Sequence, residues 1–330
     1  MKNLKSKSIV EGGILTGIIV LLMFISNIPG ISLLGCLLVP IPVAILYIKN
    51  GLKMSILSIV VGFIFITLIL GPIYGLTSII IAGFIGIGLG IGVRSKKSGV
   101  YTLIYILIGT VISIVSTSVI YIYMIMNMTL NQFLLSIISQ NKVVTKQMLK
   151  VATSQEMKDH INYIESMITI QNMQIALPIV VILISFISAV IIFIVSRNIL
   201  IRLGFKFNNL ISFTKWYIDP KFIAAIVVIA LIGMELKKNG IPLGIEVFIG
   251  ALGSLALLFG LQTMSLVAYF LVEKVKIAKG FVVVIIFFLL ISGLIGYIFI
   301  IGLVDVFFDY RGLDEDSLGS IIRKKLNSNI

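Results

Sequence analysis

Apolar residues run for about 20 positions at a time along this chain, and polar residues collect between the runs. An apolar run of about 20 residues crosses roughly 30 Å of hydrocarbon as an α-helix. The strands of a membrane β-barrel need about 10 residues with apolar and polar positions alternating. Val180–Val195 shows no alternation, so the pattern predicts helices. The expected spans are Ile9–Ser26, Ile31–Ile48, Leu52–Leu70, Tyr74–Val93, Val100–Met126, Met173–Ser196, Phe222–Leu236, Gly244–Val272 and Phe281–Phe308. Turn chemistry separates them at Asn27-Ile-Pro-Gly30, Lys49-Asn-Gly51, Gly71-Pro72, Ser98-Gly99 and Asn239-Gly-Ile-Pro242. The expected fold class is all-α: a polytopic transmembrane helix bundle of about nine spans. Eight spans remain if Phe222–Leu236, at the short end for crossing, is re-entrant.

Two segments have a different period. In the insertion at 127–172, Leu130, Phe133, Leu134, Ile137 and Ile138 keep the spacing of one helical face. A second helix is expected from Thr153, whose hydroxyl can cap it while Glu156 completes a capping box. Its apolar face would be Met157, Ile161, Ile164 and Ile168, and Pro178 offers a kink through which it can run into the sixth span. The stretch Arg197–Lys221 mixes Ile199, Leu203, Phe207, Leu210, Phe213 and Trp216 with Arg202, Lys206 and Lys215. Such a basic amphipathic segment lies in the headgroup layer. The expected divisions are therefore a five-span bundle at 1–126, the helical insertion at 127–172, the later spans at 173–308 with the interfacial segment at 197–221, and a polar tail at 309–330.

Composition agrees with this pattern. Only 12% of the residues are charged, against about 25% in soluble domains, and the mean hydropathy is +1.19. The net charge of +13 would suggest nucleic acid for a soluble protein, but the distribution of Lys and Arg explains it without that partner. With the N-terminus inside, sixteen of the 26 Lys and Arg residues fall on the cytoplasmic side, with only three of the 13 acidic residues. The positive-inside rule therefore orients the N-terminus to the cytoplasm and the 127–172 insertion to the exoplasmic face. The start holds Lys2, Lys5 and Lys7, but Ser26-Asn27-Ile28 offers no signal-peptidase site, so the first helix is expected to be retained.

Candidate chemistry is sparse. One histidine (His160) and one cysteine (Cys36) exclude disulfide frameworks, His-rich metal sites and Cys–His nucleophilic catalysis. No Gly-x-x-x-x-Gly-Lys-Ser/Thr loop is present, so any ATP dependence must come from a partner. No enzyme activity, cofactor or metal is expected. Glycines four apart (Gly13/Gly17, Gly86/Gly90 and Gly88/Gly92) allow close helix approach, either within one bundle or onto another membrane subunit. Pro40-Ile-Pro42 breaks the second span, giving a simple kink or the broken helix with which transporters build substrate sites. Ionisable residues at span ends are candidates because burying them is costly. Glu11, Glu235 and Glu246 can rest among headgroups, and Asp305 and Asp309, four apart on one face, form an ion site or fray into water. Gln262 and Thr263 lie mid-span and suit hydrogen bonds between helices.

The opening Glu11-Gly-Gly-Ile-Leu-Thr-Gly17, the large insertion and Phe213-Thr-Lys-Trp216-Tyr-Ile-Asp-Pro220 before the late spans make the chain resemble the YybS-like family of bacterial membrane proteins. That resemblance implies a multi-pass protein of the bacterial plasma membrane and brings no catalytic residues with it. The first six spans, with Gly13 and Gly17 on the first, are also distantly similar to the substrate-binding S component of energy-coupling factor vitamin transporters. This implies a transport-associated binding protein without its own ATPase. The alternative is a non-catalytic scaffold in envelope or division-related assembly.

Overall fold

The computed structural model describes residues 6–96, 98–210, 212–241, 243–291 and 295–327, which form helices joined by turns and loops, without a strand. Two compact units divide at Asn209 and Leu210.

The first unit runs through α1 (Ser6–Ile25), α2 (Ser32–Leu38), α3 (Pro40–Asn50), α4 (Leu52–Leu70) and α5 (Pro72–Ile80). A π-helical turn at Ile81–Ile85 leads into α6 (Gly86–Arg94), followed by α7 (Gly99–Ile120) with a second π turn at Tyr121–Ile125. The insertion forms α8 (Leu130–Val151) and α9 (Gln155–Met167), and α10 (Ile170–Arg202) completes the unit. The core gathers Ile19, Met23, Val39, Val43, Leu46, Ile59, Ile66 and Ala82.

Burial in this unit is inverted relative to a water-soluble bundle. Helix α4 turns Ser55, Ser58, Ile59, Gly62 and Ile66 inward, while Leu57, Phe65, Leu68 and Ile69 are exposed. Small and hydroxyl residues on the inner face let backbones approach, and hydrocarbon solvates the large side chains outside. This is the arrangement of a helix in lipid.

The second unit holds a 3-10 turn at Phe213–Lys215, then α11 (Pro220–Lys238), α12 (Leu243–Tyr269) with a π turn at Phe270–Lys274, α13 (Lys279–Ile291), α14 (Ile295–Phe308) and α15 (Leu318–Asn327). Asp219 caps α11 by accepting from the Lys221 N–H at 2.8 Å, with Pro220 in the first turn. Its core is Ile223, Leu255, Phe259 and Val306.

Six helical stretches among the described residues are long and apolar enough to cross a membrane: Ser32–Asn50, Leu52–Leu70, Pro72–Arg94, Gly99–Ile125, Ile170–Arg202 and Leu243–Lys274. Val10–Ile25 and Tyr297–Phe308 are shorter apolar helices. The expected seventh span is the helix α11, whose apolar run is cut short by Lys221 at one end and Glu235, Lys237 and Lys238 at the other. The expected ninth span is two helices, α13 and α14, on either side of residues 292–294, which lie outside the described residues.

Two local expectations are corrected. Ser154, not Thr153, caps α9 by accepting from the Met157 N–H at 3.2 Å. Its extended backbone aims the hydroxyl at the first turn, and the reciprocal capping box occurs instead at Thr129 and Gln132 of α8. Pro178 does not divide the insertion from the sixth span: the break falls at Ile168, Thr169 caps a new helix, and Pro178 lies inside α10. The stretch after Arg202, expected to be a basic amphipathic segment, is largely non-helical. Gly204 adopts φ 83°, which ends α10, and the described residues from there to Asp219 form no regular element apart from the 3-10 turn. Their apolar side chains work singly, with Phe207 buried edge-on against Phe193 at 5.0 Å between centroids. The predicted inner face of α8 is seen as expected, with Leu134 at its centre and Leu130, Phe133, Ile137 and Ile138 half-buried.

Candidate functional sites

The small-residue pairs separate into two kinds. A Cβ added at Gly86 would lie 2.6 Å from Val43 Cβ, and at Gly90 2.7 Å from Tyr47 Cβ. On the opposite side of α6, one at Gly88 would lie 2.7 Å from the Tyr105 carbonyl oxygen and one at Gly92 2.7 Å from Thr102 Cα. Helix α6 is therefore packed between α3 and α7, and its glycines are consumed inside the unit. Gly13 and Gly17 meet nothing within 4 Å. With Thr16, Val20, Met54, Leu57, Ser58 and Phe65 they line an open groove of about 630 Å³ along α1 and α4.

Pro40 and Pro42 are both buried, and the Pro40 carbonyl oxygen would lie 3.2 Å from a Cβ at Gly86. The Val39 N–H still donates to the Gly35 carbonyl at 2.9 Å, so the helix axis continues across the break. The double proline is packed against Gly86 of α6.

A different cavity of the first unit carries polar groups. Thr77 of α5, Thr117 and Ser118 of α7, Tyr121, Ile122 and Ile125 of the π turn and Phe133 of α8 line an open space of about 360 Å³. Thr77 Oγ1 donates to the Tyr74 carbonyl and Thr117 Oγ1 to the Ser113 carbonyl, which leaves both oxygens able to accept from a guest. No charged side chain lines the pocket. A π turn widens the helix by one residue and recurs at functional sites; here it sets Tyr121, Ile122 and Ile125 around the cavity.

The second unit contains a buried polar cluster. Asp305 and Arg311 form an ion pair at 3.0 Å with both side chains fully buried. Gln262 Nε2 donates to Asp305 Oδ2 at 2.7 Å, while its Oε1 accepts from the Ile218 N–H at 3.1 Å. The Tyr310 N–H donates to the other Asp305 oxygen at 3.2 Å. Arg311 also donates to the Thr214 carbonyl at 3.0 Å and to Ser265 Oγ. Ser265 Oγ in turn lies 2.6 Å from the Phe213 carbonyl and 2.8 Å from that of Trp216. Tyr217 donates to the Val306 carbonyl at 2.6 Å. Burial pushes the Tyr217 hydroxyl to a higher pKa than usual, and Asp314, Asp309, Asp305 and Asp219 add to the effect.

This cluster fastens the Phe213–Pro220 segment to α12 and to the chain end after α14. Gln262 and Thr263 make the inter-helix bonds expected of them; Thr263 donates to the Ile298 carbonyl, where Gly302 packs on the Phe259 carbonyl. Asp305 and Asp309 are buried rather than frayed into water. Asp309 accepts from the Asp314 N–H at 2.8 Å through Oδ2, and its backbone carbonyl accepts from Arg323 at 3.0 Å. Its Oδ1 and the Arg311 Nε have no protein partner. Arg311, Ser265, Thr214 and Tyr217 were not legible as a site; the one available signal was the density of aromatic and polar residues in Phe213–Pro220.

Glu246 stands apart, exposed in the first turn of α12, sixteen residues before Gln262. Glu11 pairs with Lys49 at 3.3 Å, with both side chains about 40% exposed, an arrangement that contributes little to stability. Among the described residues no group of three or more His, Cys, Asp or Glu side chains is placed to hold a metal ion.

The apolar runs, the outward large side chains and the buried ion pair together describe a multi-pass protein embedded in a lipid bilayer. No curated protein and no solved structure matches the chain. A family profile matches residues 16–306, and the chain belongs to that family, described as Predicted membrane protein (DUF2232).

Proposed function

We propose that the chain is a membrane-embedded solute-binding component, non-enzymatic and dependent on a separate subunit for energy. Its ligand would occupy the hydroxyl-lined pocket beneath α8. That pocket carries the reading. Its volume of about 360 Å³ falls within the range of small-molecule sites, roughly 300–1,000 Å³, which pair apolar walls with a few convergent polar groups. Four hydroxyls facing Ile122, Ile125 and Phe133, with no charge in the lining, suit a neutral and partly apolar solute. The likeness of the early spans to energy-coupling factor S components and the missing nucleotide loop support the same reading. In the positive-inside orientation the insertion at 127–172 lies on the exoplasmic side and covers the pocket as a lid.

The test is a thermal-stability screen of the full chain in detergent against neutral vitamin-like and nucleobase-like solutes. A stabilising solute should lose its effect in Ser118→Leu, which fills the pocket, and keep it in Gly17→Leu. If no such solute stabilises the protein, or if stabilisation survives Ser118→Leu, the reading fails. The scaffold reading is favoured by a different observation, the open Gly13/Gly17 groove. It would gain ground if Gly17→Leu abolished recovery of a membrane partner while leaving the protein folded.

A further inference from the structure

Helix α15 has the sequence LGSIIRKKLN, and its packing is the reverse of that in a water-facing domain. An amphipathic helix on a soluble protein turns its apolar stripe inward. At 3.6 residues per turn, Gly319, Ser320 and Arg323 share one side of α15. This is the side against the protein. Gly319 is buried at the Phe308 carbonyl, Ser317 caps the helix by accepting from the Ser320 N–H at 3.1 Å, and Arg323 donates to the Asp309 carbonyl at 3.0 Å. Leu318, Ile321 and Ile322 occupy the other side and are 52%, 45% and 47% exposed.

We propose that α15 is a lipid-surface helix. Its Leu318, Ile321 and Ile322 face enters the boundary between headgroups and acyl chains of an anionic leaflet, while Lys324 at the rim of that face meets the lipid phosphates. The bilayer is the occupant because α15 continues the apolar surface of α14: Phe307 and Phe308 are each 43% exposed, and the Gly319 contact holds α15 at their level. Its charge is complementary as well. Every ionisable residue within α15 is basic, and the acidic Asp314, Glu315 and Asp316 belong to the preceding turn. Apolar insertion combined with attraction to anionic lipid is how such helices bind. This inference does not depend on the solute-binding reading.

The experiment uses the full chain with Cys36→Ser and a nitroxide label on Ile321→Cys, Ile322→Cys or Lys324→Cys. Each protein is reconstituted in phosphatidylcholine vesicles with and without phosphatidylglycerol. The emission of Trp216 confirms that the second unit is folded. Collision with oxygen, relative to a water-soluble nickel chelate, should be several-fold higher at 321 and 322 than at 324. The ratio of oxygen to nickel collision at 321 and 322 should rise with phosphatidylglycerol, and that rise should be lost in Lys324→Gln. Nickel access at 321 and 322 equal to that at 324 would overturn the proposal by placing the face in water. Protection of 321 and 322 from both reagents, with spin coupling between copies, would overturn it in favour of a protein contact.

Discussion

Arg311→Met should release the Phe213–Pro220 segment. In the native protein the guanidinium neutralises Asp305 at 3.0 Å, and neither side chain is exposed. Removing it leaves a carboxylate buried with only Gln262 and the Tyr310 N–H as partners, and it also strips a donor from the Thr214 carbonyl and Ser265 Oγ. Breaking a buried pair by deleting one member costs about 3–5 kcal/mol. That corresponds to a roughly 150- to 5,000-fold larger population of the opened form. Asp305→Asn/Arg311→Met should be milder than Arg311→Met alone, because no bare charge remains and the single amide oxygen still accepts from either Gln262 or the Tyr310 N–H. Its cost should be about 1–3 kcal/mol, the penalty for leaving the Thr214 carbonyl and the Ser265 hydroxyl short of a partner. The protein supplies its own reporter. Its single tryptophan, Trp216, stacks edge-on with Phe213 at 5.2 Å inside the fastened segment. Denaturant titration of the full chain in mild detergent, followed by Trp216 emission and acrylamide quenching, measures the release. Glu246→Gln serves as the control and should stay within about 0.5 kcal/mol, as exposed substitutions do. The reasoning is refuted if Arg311→Met costs under about 1 kcal/mol, or if the double variant is at least as unstable as the single one.

Two further predictions follow from the packing. Because the cluster joins Thr214 to Arg311 directly, Lys215→Cys and Glu315→Cys in a Cys36→Ser background should react with a membrane-impermeant maleimide from the same side of intact vesicles. Labelling from opposite sides would mean that the cluster does not exist in the membrane. Gly86→Leu should lower the midpoint of thermal unfolding through a clash with Val43, at a cost of about 1–3 kcal/mol or more. Gly17→Leu, facing open space, should leave it unchanged, and equal effects would show that the small-residue pairs are not distinguished as described.

The features legible in the sequence were those carried by local periodicity. The length of the apolar runs predicts helices, and the spacing of Leu130, Phe133, Leu134, Ile137 and Ile138 identifies the inner face of α8. Spacing could not distinguish Gly86/Gly90 from Gly13/Gly17, because the same four-residue repeat serves a packed face and an open one equally. The buried cluster was out of reach for a related reason. Thr214 and Arg311 are 97 positions apart and Ser265 and Arg311 are 46 apart, so no local pattern links an arginine in a polar tail to a carboxylate at a helix end. Asp305 alone resembles an interfacial residue.

The charge count illustrates the same limit and how structure can extend it. Alternating nine spans places 309–330 across the membrane from 197–221, yet Thr214, Tyr217 and Ser265 meet Val306 and Arg311 in one cluster. With α11 not crossing, the tail lies on the side of 197–221: Arg311, Arg323, Lys324, Lys325, Lys237 and Lys238 join the inner set while Lys274, Lys276 and Lys279 leave it, raising it from sixteen to nineteen of the 26 basic residues. Orientation responds to Lys and Arg, with Asp and Glu contributing little, so this placement strengthens the bias on which the orientation rests. It requires an even number of crossings between 219 and 309. Helix α11, whose apolar run between Lys221 and Glu235 is short for a bilayer, is the element best suited not to cross. If the N-terminus is cytoplasmic, the same placement would bring α15 to the leaflet where anionic lipid attracts basic segments. Same-side labelling of 215 and 315 would therefore support the eight-span arrangement and the lipid contact of α15 together.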